Sequence, residues 1–156
     1  ARCDAMTGLA NRRAFVEAAR ERLAAGEPMQ LLVADIDHFK RINDSMGHAA
    51  GDLALTHAAA VLARAAPEAG LVARIGGEEF ALLVPAETDA AALVARIADD
   101  LAHTPVPAAA ELQRMTCSFG VAVAQAGEGL DGLLSRADAA LYAAKDGGRN
   151  RMALAS

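Results

Sequence analysis

Tryptophan is absent from this chain of 156 residues, and one Tyr and four Phe leave aromatics at 3% of the total. A core of bulky rings is therefore excluded. With 54% of residues apolar and much of that alanine, close-packed helices must supply the burial. Basic residues are outnumbered, 15 against 20 acidic. The net charge of −5 argues against a nucleic-acid backbone as partner, which calls for a basic stripe. Cysteine is scarce: Cys3 and Cys117 are far apart and in no metal-ligand spacing, and nothing suggests an oxidising compartment. Cys117 falls in an apolar, strand-like run as a small buried residue, and Cys3, near the start, is expected to be exposed. No apolar run reaches the length of a transmembrane helix, and no run reads as a signal peptide. Low-complexity tracts and internal repeats are also missing. The chain begins with Ala rather than Met, as expected of a segment excised from a longer protein in which membrane spans or sensor modules would lie. At this length it reads as one domain, residues 1–156, with a core that needs no staples.

What is present is ordered punctuation. Asn11 suits the N-cap of a helix through about Ala25, with Phe15, Ala19 and Leu23 at helical spacing. Met29 to Ile36 is a continuous apolar run closing on Asp35-Ile36-Asp37, the pattern of a buried central strand. The spacing of Leu55, Ala58 and Leu62 predicts a second helix from about Ala50 to Ala65. Leu71–Ile75 and Phe80–Val84 read as strands joined by a tight Gly76-Gly77 turn, where glycine would supply positive φ and room for a close approach. Thr88 can cap a third helix carrying Leu93, Ile97 and Leu101. After a Pro-rich loop, Met115–Ala124 reads as a strand in which Gly120 marks a bulge or a close backbone approach. Asp131 opens a fourth helix through about Lys145, with Leu134, Ala137 and Leu141 inward. Gly147-Gly148 ends it, and Arg151–Leu154 is a short last strand. A hairpin embedded among βα units implies an α+β fold, a sheet with antiparallel pairs and helices on its faces.

Two regions carry chemistry. At the hairpin tip Glu78 and Glu79 are like charges that raise each other's pKa, so a cation, most simply a divalent metal, is expected beside them; a solvated hairpin tip is the plain alternative. The second region is the loop from Asp35 to Asp52. Asp35 and Asp37 share a face at the end of a strand, and Lys40 follows, a set suited to a metal-bound phosphate. Asn43 and Asp52 together can meet the donors and the acceptor on a guanine edge. Near the C-terminus, Lys145 either complements a helix dipole or joins Arg149 in a phosphate clamp.

These motifs, in this order, resemble the GGDEF domain of the diguanylate cyclase family in its Gly-Gly-Glu-Glu-Phe form. The resemblance covers nearly the whole chain, from Asp4-Ala5-Met6-Thr7-Gly8-Leu9-Ala10-Asn11-Arg12-Arg13, with Met6 where the family has Leu. It continues through the Asp35–Asp52 loop, the Gly76–Phe80 tip and Cys117-Ser118-Phe119-Gly120-Val121-Ala122. It ends in the segment from Ala137 to Asn150. It implies a fold like the palm of nucleotidyl cyclases and polymerases, with a ferredoxin-like core. It also implies condensation of two GTP into cyclic di-GMP and pyrophosphate by two domains facing each other as a transient homodimer. Residue by residue, Asp35, the carbonyl of Ile36 and Glu78 would hold Mg²⁺ (Mn²⁺ as substitute), and Glu78 is also the base for the 3′-hydroxyl. Lys40 would stabilise the triphosphate, cradled by the backbone at His38 and Phe39, under the Gly76-Gly77 turn. Asn43 and Asp52 would bind guanine, His48 would add a further substrate contact, and Lys145 and Arg149 would grip the terminal phosphates. An upstream sensor or receiver and a cytoplasmic setting follow from the same resemblance. Where many members carry Arg-x-x-Asp, an allosteric site for the product, this chain has Pro67-Glu68-Ala69-Gly70, so no feedback through that site is expected. The competing reading is an inactive domain kept as a receptor for GTP or cyclic di-GMP, but Asp35, Gly76, Gly77 and Glu78 are intact. A cyclase making mononucleotide rings or mixed products is a third reading that loop residues alone leave open.

Overall fold

A strand buried at every position forms the middle of the sheet. In the computed structural model, which describes residues 1–156, β1 (Met29–Ile36) is buried along its whole length. It pairs antiparallel with β3 (Glu79–Pro85) on one side and with β4 (Cys117–Val123) on the other. β2 (Leu71–Arg74) lies antiparallel beside β3, and β5 (Met152–Leu154) lies parallel beside β4, giving the order β2-β3-β1-β4-β5. Four of these strands with two crossover helices make a βαββαβ unit, the ferredoxin-like arrangement.

Alternation along β1 sorts two cores. Leu32, Ala34 and Ile36 face α3 (His48–Ala65) and α4 (Ala90–His103), while Leu31 and Val33 face α1 (Arg12–Ala24) and α5 (Leu130–Asp146). Small residues set the spacing. Ala54, Ala58 and Ala59 of α3 are each no more than 1% exposed, as the alanine-rich composition requires. Gly120 keeps register opposite Val33, so there is no bulge; a Cβ there would fall 2.1 Å from the Ala137 carbonyl of α5. The close-approach expectation therefore holds, and it fixes how tightly α5 lies on the sheet. No helix is long and apolar enough to cross a membrane.

Three local expectations need correction. The Asp35–Asp52 region is not a loop: it holds α2 (Phe39–Met46), then Gly47 at φ 90°, then the start of α3. Asp89 rather than Thr88 caps α4, its side chain accepting from the Ala92 amide at 3.0 Å. Strand pairing ends at Arg74 and Phe80, and the amides of Ile75 and Gly76 both donate to the Glu79 carbonyl. The tip is thus wider than a two-residue turn, and neither Gly76 nor Gly77 lies in the left-handed region.

Candidate active site

The antiparallel pairing brings the end of β1 beside the starts of β3 and β4, and the C-terminal end of α5 lies above them. A cleft of about 570 Å³ opens there, in the range that takes a nucleotide-sized ligand. Asp35, Ile36, Asp37, His38, Phe39, Lys40, Arg41, Asp44, Ser45, Glu78, Lys145 and Arg149 line it. His38, at φ 56° and ψ 35°, turns the chain from β1 into α2 and offers that helix no side-chain cap, so the first amides of α2 remain donors at the rim.

Electrostatically the floor is acidic and the walls are basic. Asp35 is 5% exposed and is ion-paired with Lys145, which reaches down from α5. Burial pushes the Asp35 carboxyl above its ordinary range, against the pull of Lys145. Burial also raises Glu78, and the nearby Asp35 charge adds to the shift. Glu79 is raised by burial and then by Asp138, itself raised by burial. Asp35, Glu78 and Glu79, whose fields overlap, all resist ionisation, which is the condition a bound cation would relieve. Burial pushes the Cys117 thiol up, so it is inert.

The tip that carries Glu78 is braced from outside the cleft. Arg74 donates to the Gly77 carbonyl at 2.7 Å and to the Gly76 carbonyl at 3.2 Å, and its guanidinium is ion-paired with Asp4 at 3.3 Å. Burial works against the Asp4 charge, but hydrogen bonds from Thr7 and Arg74 hold its carboxyl below the ordinary range. Neither Arg74 nor Asp4 was expected at the site. The signal was an Arg two residues before a Gly-Gly pair, and in sequence nothing linked it to the N-terminus.

Of the expected residues, Asp35, Ile36, His38, Phe39, Lys40, Glu78, Lys145 and Arg149 come together in the cleft. Lys40 is exposed, paired with Asp44 at 3.1 Å along α2. Asn43, His48 and Asp52 do not line the cleft; they lie at the α2–α3 seam, where the Asn43 amide fills the space above Gly51. Gly76 and Gly77 form the tip itself, and a Cβ at Gly77 would meet nothing within 4 Å. Asp37, Arg41, Asp44 and Ser45 are further cleft residues. The expected metal set is two carboxylates, Asp35 and Glu78, and the backbone carbonyl of Ile36, and all three residues line the cleft. Hard oxygen donors with raised proton affinity suit a hard divalent cation.

Comparison with known proteins agrees with this geometry. Residues 1–151 match the family model described as diguanylate cyclase, GGDEF domain. Diguanylate cyclase DgcP of Pseudomonas aeruginosa is 40% identical over 97% of this chain, and diguanylate cyclase DgcM of Escherichia coli K12 is 42% identical over 96%. The chain spans only 24% and 37% of the length of those two relatives. The GGDEF domain of DgcB from Caulobacter crescentus, solved in complex with c-di-GMP, superposes with a TM-score of 0.90 at 39% identity. That match covers 99% of this chain and 95% of that one. A palm-like sheet carrying a cleft of paired carboxylates and cations beside a Gly-Gly tip, and a family match over nearly its whole length, place this chain in the diguanylate cyclase GGDEF domain family.

Proposed function

We propose that this chain is a catalytically competent diguanylate cyclase domain that joins two GTP into cyclic di-GMP with release of two pyrophosphates. The observation that carries the reading is the convergence of Asp35 and Glu78 with Lys145 and Arg149 in one cleft, Lys145 in contact with Asp35. Asp35, Glu78 and the Ile36 carbonyl would hold Mg²⁺, or Mn²⁺ in its place; when bound, the ion supplies charge neutralisation on the triphosphate.

The chain's own groups do the rest. The open amides at the start of α2 receive phosphate oxygens, and Lys40, exposed and on a flexible stem, swings onto the same charge. Lys145 and Arg149 hold the terminal phosphates and so align the α-phosphorus for in-line attack. Guanine lies towards the α2–α3 seam, read by Asn43 and Asp52 with His48 beside them. Glu78, whose carboxylate is made more basic by burial and by the nearby Asp35, accepts the 3′-hydroxyl proton. One cleft holds one GTP, so the attacking hydroxyl comes from a nucleotide on a second copy, and ring closure needs two cleft-to-cleft chains. An upstream sensor or receiver would set how often they meet, in a cytoplasmic setting where GTP is available.

The test is Glu78→Gln. GTP turnover is expected to fall by at least about 100-fold while GTP is still bound. A variant that turns over at the wild-type rate would reject the assignment, and a wild type that binds GTP but never turns it over would favour a receptor domain.

A further inference from the structure

Asp37 lines the cleft yet has no duty in the reaction described above. It is 6% exposed, and its donors are two hydroxyls and an amide rather than a cation. Thr116 Oγ1 lies at 2.6 Å, Ser118 Oγ at 2.6 Å and the Asn150 backbone N–H at 3.0 Å. Its own amide donates to the Thr116 carbonyl at 2.9 Å. One carboxylate thus ties the end of β1, the start of β4 and the turn between α5 and β5.

The amide contact is the informative one. Gly148, Arg149 and Asn150 take φ of 121°, 65° and 48° in succession. Residues with side chains stay in that region only where their surroundings fix them. On the helix side the turn is fixed by the Arg149 amide donating to the Ala144 carbonyl at 3.0 Å. On the sheet side the next peptide is fixed by Asp37. Arg149 is therefore clamped at both of its peptides, and it lines the cleft.

We propose that Asp37, held by Thr116, is a positioning residue for phosphate recognition: it locks the Arg149–Asn150 turn and so places the Arg149 guanidinium on the terminal phosphates. The inference rests on the assignment of Arg149 to those phosphates made above.

The test measures binding of GMP and of a GTP analogue whose α,β-bridging oxygen is replaced by methylene, which blocks turnover. Thr116→Val removes one donor at nearly constant volume. It is expected to weaken the triphosphate analogue about 3- to 10-fold and GMP by less than about 2-fold. In an Arg149→Ala background the same change is expected to have no further effect on either ligand. Asp37→Ala should lose the same selectivity, and Asp37→Asn should regain most of it, because the amide oxygen can still accept from Thr116 and Asn150. Equal weakening of both ligands by Thr116→Val, full additivity with Arg149→Ala, or an Asp37→Asn no better than Asp37→Ala would each overturn the proposal. If Arg149→Ala itself keeps the wild-type ratio of the two affinities, the phosphate assignment fails, and the positioning role falls with it.

Discussion

Glu78 has to be buried enough to act and charged enough to bind a cation, and these demands conflict. Its carboxyl is raised by burial and by Asp35, so the folded state holds its proton more tightly than the unfolded chain does. Between the ordinary and the raised pKa the folded state binds more protons, and stability falls as pH rises through that window. Glu78→Gln removes the penalty. Without divalent cations the variant should melt higher than wild type at neutral pH, and the gap should close as pH falls through the carboxylate range. Added Mg²⁺ should stabilise wild type more than the variant, so thermal melts with and without Mg²⁺ check both signs. Arg74 acts on the same tip from behind. Arg74→Ala frees the Gly76 and Gly77 carbonyls and leaves Asp4 without its cation, with an expected stability loss of about 1–2 kcal/mol. Turnover is expected to drop by about 10- to 100-fold through misplacement of Glu78. Unchanged steady-state rates would separate the brace from the chemistry.

Among the elements, the seating of α5 depends on a single glycine. A Cβ at position 120 would collide with the backbone of Ala137 and Leu141, at 2.1 Å and 2.3 Å, and backbone cannot swing aside. Gly120→Ala is therefore expected to cost about 3 kcal/mol, or to push α5 outward and carry Lys145 away from Asp35. Denaturant unfolding and GTP affinity measure the two outcomes. Gly120 was legible in sequence because a glycine inside an apolar strand needs a reason, and β1 was legible because a largely apolar run between Pro28 and Asp37, with Leu31 to Ala34 at its centre, allows little else. Helix α2 was not. None of its residues is fully buried, and its polar, chemistry-bearing face hides Phe39, Ile42 and Met46, whose helical spacing packs them against the core. The φ argument for Gly76-Gly77 failed for a different reason: the tip is wider than a two-residue turn, and the open space above Gly77 matters more than its dihedral. Of the eight expected residues that line the cleft, Asp35, Lys40, Glu78, Lys145 and Arg149 were legible as charges in a telling order, and Ile36, His38 and Phe39 only through the family resemblance, while the Arg74–Asp4 brace joins residues 70 positions apart and only folding brings them together.

For the whole molecule, the proposed reaction is second order in protein, because each chain presents one cleft. Specific activity is expected to rise with chain concentration until pairing saturates, and a concentration-independent rate would argue for a single chain closing the ring. Feedback is a property of the same scale. Pro67-Glu68-Ala69-Gly70 offers neither a guanidinium nor a second acid, and a Cβ at Gly70 would lie 3.0 Å from the Pro67 carbonyl. Cyclic di-GMP added to the assay is therefore expected to inhibit only by competing with GTP in the cleft. Non-competitive inhibition that is lost on changing Glu68 would overturn this. The most direct measurement is to incubate concentrated protein with GTP and Mg²⁺ and resolve the nucleotides by chromatography. The expected result is cyclic di-GMP with two equivalents of pyrophosphate, formed by wild type and not by Glu78→Gln. GTP recovered unchanged at chain concentrations where scattering detects the dimer and GTP binding is saturated would contradict the enzyme and leave a nucleotide receptor.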